Sequence, residues 1–215
     1  MKSFPLFVLA LGLSALCSCN QPSSSSSKEE GVTSDTVNSV IENILTRRSI
    51  RQYSPKPVNR DTLQTILKCG IYAPNGMHKE SWQVRVTDDP DFINGFTEVY
   101  KKANPGIASR PGFRNAFNNA PTVIFVAYDT TYDCSQVDCG MLGENIMLSA
   151  HSLGIGSCCM AGVVRFMNQS PDAAPYLQRL DLPSTHRLLF AIALGYPEEN
   201  PKAGPRDMGR VKFVE

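Results

Sequence analysis

Residues 47–54 read RRSIRQYS, with three arginines and two serines gathered into eight positions. Guanidinium groups beside a hydroxyl offer bidentate, charge-assisted hydrogen bonds to a phosphate or carboxylate. The same charges also suit a solvated helix end, where cations counter the macrodipole. On this segment alone the solvated helix end is the stronger reading. Other chemistries find less support. The histidines stand far apart at 78, 151 and 186, and the chain has no CxxC spacing, so no zinc site is indicated. GxxxxGK[ST] is missing, and GIGSCC lacks the third glycine of a dinucleotide fingerprint and follows a helix rather than a strand. Without a nucleophile elbow or a paired acid and base, a hydrolase is unsupported.

The chain of 215 residues is 42% hydrophobic and 19% charged, ordinary for a globular protein. A formal net charge of +1 provides no broad field for nucleic acid or a membrane surface, so anion binding must be local. Residues 1–18 read as an export leader, with Lys2 followed by an apolar run from Phe4 to Leu16. That run of 13 residues falls short of the roughly 20 needed to span a bilayer. Its end, LCSC, resembles the lipobox of bacterial lipoproteins, with Cys19 as lipid acceptor; an ordinary cleaved leader is the alternative. The expected location is therefore outside the cytoplasm, lipid-anchored to a bacterial membrane on its periplasmic or cell-surface face. Residues 19–32 are Ser-rich and polar, as in a flexible tether. Removing the leader takes away Lys2, one of 21 basic residues, leaving 20 against 20 acidic ones.

The domain at 33–215 must then position the arginines. Val37, Val40, Ile41, Ile44 and Leu45 recur at helical spacing just before them, with Ser34 or Asp35 as N-cap. A second helix carries Leu63, Ile66, Leu67 and Ile71, and a third runs from Asp89–Pro90 through Phe92, Phe96 and Val99. The longest, over 136–153, turns Met141, Leu142, Asn145, Ile146, Ser149 and Leu153 to the core, with Gly154 ending it. Ser170 and Pro171 open another. SWQVRVT alternates as a half-buried strand, while PTVIFVAYD and HRLLFAIALGYP read as buried strands. GIGSCCMAG gives a short strand into a turn, and 103–119 is an irregular excursion. Of the five cysteines beyond Cys19, most are expected as buried free thiols, with a Cys134–Cys139 disulfide as one alternative.

Four segments in order, RRSIRQYS, APNGMHKESW (73–82), GENIMLSAHSLGIGSCCMAG (143–162) and the final GYPEENPKAGPRDMGRV, resemble the nitroreductase family of flavin enzymes. The resemblance spans 35–215. It implies an α+β fold, a mixed β-sheet wrapped by helices, working as a homodimer with FMN at the interface. It places Arg47 and Ser49 on the flavin phosphate and ribityl chain, with Arg48 beside them and Arg51 near the pyrimidine oxygen. Pro74, Asn75, Gly76 and His78 fall on a loop lying along the ring from the neighbouring subunit. Cys159, Met160, Ala161 and Gly162 fall beside the ring, with the last two N–H groups toward N5, and Arg206 matches a late phosphate-binding arginine. His78, Glu80 and Ser81 stand where the family commonly has Asn, Gln and Pro, and Gly204 replaces a second basic residue. The implied activity is reduction of nitroaromatics, quinones or similar small electron acceptors by NAD(P)H in a ping-pong cycle. A same-fold flavin enzyme performing reductive dehalogenation or flavin breakdown, or a non-enzymatic ligand-binding lipoprotein, are the alternatives.

Overall fold

Helix α1 (Ser39–Thr46) begins where Asn38 accepts hydrogen bonds from the N–H groups of Val40 (3.0 Å) and Ile41 (3.3 Å). Asn38, rather than Ser34 or Asp35, is therefore its cap. The computed structural model describes residues 38–215. The leader, Cys19, the tether and the domain start at residue 33 lie outside the described residues.

The order continues α2 (Arg60–Ile71), β1 (Trp82–Thr87), α3 (Pro90–Ala103), β2 (Thr122–Asp129), α4 (Ser135–Ser152), β3 (Gly156–Met160), α5 (Gly162–Gln169), α6 (Ala174–Arg179) and β4 (His186–Gly195). The sheet order is β1-β2-β4-β3, with every ladder antiparallel. One parallel bridge, Ser49 to Ser157, adds the basic segment to the β3 edge, where the N–H of Ile50 donates to the Ser157 carbonyl at 2.9 Å. This is the expected α+β arrangement of a sheet wrapped by helices.

Alternation on the central strands divides the core in two. Val123, Phe125, Ala191 and Ala193 face α3 and α5, which contribute Phe92, Phe96, Val164 and Met167. Ile124, Val126, Ile192 and Leu194 face α2 and α4, which contribute Leu63, Ile66, Leu142 and Ile146. Phe96 anchors the first layer, stacked on Phe117 at 5.1 Å and edge-on to Tyr176 at 5.6 Å.

Several expectations are corrected. On α4, Leu142 and Ile146 are buried as expected, but Met141 and Leu153 are 44% and 47% exposed and Asn145 and Ser149 only half-buried; Cys139 and Ala150 complete the inward face. Ile71 is exposed as well, and the apolar residues of α1 find no cover among the described residues, from Ile44 at 51% to Leu45 at 67%. The turn expected after Met160 is helix α5, which buries Val163, Val164 and Met167. Ser170 makes no side-chain capping bond. All five cysteines of the described residues are free, Cys134 and Cys139 included, and only Cys139 and Cys158 are buried.

Candidate functional site

Two apolar side chains fix the basic segment. Ile50 is buried, and Tyr53 is wholly so, its hydroxyl donating to the Ile50 carbonyl. Burial holds the Tyr53 phenol far above its ordinary range. With Ile50 and Tyr53 pegged inward, Arg47, Arg48, Ser49 and Arg51 are left toward the surface.

The arginines then divide. Arg48 donates to the carbonyls of Leu45 (2.8 Å) and Arg47 (2.7 Å), capping the C-terminal end of α1. The helix-end reading of the basic charge thus describes Arg48. Arg47 is more free, its Nε 3.5 Å from the half-exposed Glu144 carboxylate. Arg51 donates from Nη1 to the Ser49 carbonyl at 3.1 Å, and from its backbone N–H to Glu199. A cleft of about 290 Å³ opens here, lined by Thr46, Arg47, Arg48, His151, Ser157 and Glu199 among others. Its charged lining favours an anion. Burial, then Arg47 and Arg48, holds His151 below the usual imidazole range. Ser157 Oγ is buried without a hydrogen-bond partner.

At the far end of β3, Cys159, Ala161 and Gly162 are exposed and Met160 is buried. Ala161 caps α5 without a side-chain bond, so the first N–H groups of that helix remain free for a ligand. A Cβ placed on Gly162 would meet nothing within 4 Å, which leaves open space over this backbone. Asn118 of the irregular excursion braces the strand, donating to Met160 Sδ at 3.1 Å and Cys158 Sγ at 3.5 Å. Burial pushes the Cys158 thiol up, and desolvation of the sulfur within an otherwise exposed residue, with Cys158 and Glu144 nearby, pushes Cys159 up, so neither is poised as a nucleophile.

Residues 71–80 line a separate hollow of about 480 Å³ that includes Pro74, Asn75, His78 and Glu80. Buried Asp138 anchors the loop, accepting from the Gly76 N–H at 2.9 Å and from Ser81 Oγ at 3.0 Å. Asn75 Oδ1 accepts from the Glu80 N–H at 2.9 Å. Met77, His78 and Glu80 occupy left-handed backbone, with φ of 54°, 54° and 47°. A Cβ at Gly76 would lie 2.3 Å from the Tyr132 hydroxyl, so a side chain there would have to displace that ring. Arg206 lies in the exposed C-terminal segment, bonded to its own neighbours' carbonyls at Gly204 (3.3 Å) and Pro205 (3.2 Å).

The chain therefore unites the basic segment with β3 in one cleft, whereas the 74–78 loop lines another and Arg206 lines neither. Sequence reasoning missed Ser157, Asp138, Glu144 and Glu199. Only Asp138, an acidic residue on an otherwise apolar helix face, carried a signal.

Fold and site together define a helix-wrapped sheet protein with an arginine-lined cleft at the β3 edge. The nitroreductase family model matches residues 44–196, and the chain belongs to that family. The NADPH-flavin oxidoreductase of Vibrio harveyi is 30% identical over 79% of this chain and 70% of its own length. A Bacteroides fragilis nitroreductase crystallised with bound FMN is 30% identical, with a TM-score of 0.72 over 83% of this chain and 100% of the other. A Desulfitobacterium hafniense nitroreductase, also with bound FMN, is 26% identical, with a TM-score of 0.73 over 83% and 99%.

Proposed function

We propose that this protein is an FMN-dependent oxidoreductase that passes electrons from NAD(P)H to a nitroaromatic, quinone or similar small acceptor. The observation that carries the reading is the Ser49–Ser157 bridge, which sets an arginine-lined cleft at the start of the strand β3 that leads to Ala161 and Gly162. A phosphate-bearing, planar cofactor needs both features, and the FMN-bound relatives share the fold.

FMN, when bound, supplies hydride exchange at N5, with nicotinamide and acceptor using one cleft in turn. Arg47 and Ser49 would hold the phosphate and ribityl chain, and Arg51 would face the electron-rich pyrimidine end. The free N–H groups at the start of α5 would orient the ring edge. Arg206 and the 74–78 loop join this set in a homodimer, where the loop of one subunit covers the cleft of the other. The uncovered apolar residues of α1 and the exposed Met141 and Leu153 of α4 support such an interface. Purified protein is expected to be yellow and to release FMN on denaturation; colourless protein that takes up no FMN contradicts the reading.

Export and anchoring through Cys19 rest on the leader sequence. Mass spectrometry of the N-terminal peptide should show an acylated cysteine that Cys19→Ala abolishes.

A further inference from the structure

Among the described residues, Ser157 Oγ is the one buried side-chain oxygen or nitrogen without a hydrogen-bond partner. The residue is 1% exposed and lies on β3, where its backbone is fully committed to structure. It pairs with Leu194 on one side, and its carbonyl accepts from Ile50 on the other. A buried hydroxyl left unpaired destabilises a fold, so one that persists calls for an external partner.

The surroundings identify that partner's charge. Ser157 lines the cleft that also holds Arg47, Arg48 and His151, with Glu199 as its one carboxylate. A cation would be repelled by the two guanidinium groups, and an apolar ligand would leave the hydroxyl unpaired. An oxyanion satisfies both, because a hydroxyl donates to it while the arginines neutralise it.

We propose that Ser157 is a phosphate ligand of the flavin, donating from Oγ to a phosphate oxygen from the floor of the Arg47–Arg48 cleft. This rests on the FMN reading above and adds a residue that the sequence did not mark.

The test is fluorescence titration of the cofactor-free full chain with FMN and with riboflavin, alongside thermal melting. Ser157→Ala should weaken FMN binding about tenfold or more, as expected for a lost bond to a charged group, while leaving riboflavin within about twofold. Cofactor-free Ser157→Ala should melt at or above the wild-type temperature, because the variant removes an unpaired hydroxyl. Ser157→Cys, of similar size and a weaker donor, should move FMN affinity the same way. Equal losses for both flavins would assign the hydroxyl to the ribityl chain or the packing and overturn the proposal. So would unchanged FMN affinity, or a lower melting temperature without cofactor. Wild-type protein that binds neither flavin would defeat the FMN reading itself, a failure visible before any variant is compared.

Discussion

Arg47 and Arg48 are neighbours with separate tasks. Arg48 spends its guanidinium on the carbonyls that end α1, whereas Arg47 meets only a half-exposed carboxylate and remains available to a ligand. Arg47→Ala should weaken FMN binding about 10- to 100-fold by fluorescence titration, the scale of one charged hydrogen bond. Arg48→Ala should instead lower stability by about 0.5–1 kcal/mol in chemical denaturation, with a smaller effect on affinity. His151 adds a pH dependence. Its folded pKa lies below the ordinary 6.5, so the unfolded chain takes up the proton first as pH falls. Its contribution to stability is therefore present above about pH 6.5 and is lost as pH drops toward the folded value. His151→Gln should flatten the fall of melting temperature on the acid side of 6.5. The arginines were visible in the sequence because three in five positions is a compositional event. Ser157 was not, because a serine within GIGSCC acquires meaning only once its surroundings are buried.

The loop at 73–82 shows how an element is made rigid without regular structure. Asp138 reaches from α4 to hold the Gly76 N–H and the Ser81 hydroxyl, and the Tyr132 hydroxyl crowds the position a side chain at 76 would take. Gly76→Ala should displace the loop and weaken FMN binding, while Tyr132→Phe in the same chain should restore much of the affinity by removing the obstructing oxygen. Titration of the single and double variants checks this, and an unrelieved loss would show that Tyr132 is not the obstacle. The strands were readable throughout, since β2 and β4 are continuous apolar runs and β1 alternates. Helix α5 was hidden by its brevity: its eight residues follow a glycine-rich stretch, and Val163, Val164 and Met167 make barely two turns of periodicity. On α4 the spacing was right but the face was displaced, because Asp138, buried for the loop, and small Gly143, packed against Phe190, both belong to the inward side.

At the scale of the whole molecule, the first helix is clad in apolar side chains that nothing among the described residues covers. Helical spacing announced an amphipathic α1 but could not say what covers it, since periodicity reports an apolar face and not its partner. If the proposed homodimer forms through α1, Ile44→Asp and Leu45→Asp together should convert it to a monomer in light scattering and reduce bound flavin; an unchanged mass would contradict that interface. The measurement that bears most directly on the account is anaerobic rapid mixing of the FMN-loaded protein with NADH and with NADPH. The account predicts that at least one nicotinamide bleaches the flavin absorbance within the time of a turnover, and that a quinone or nitroaromatic then restores it. Flavin that dithionite reduces but neither nicotinamide does would contradict it.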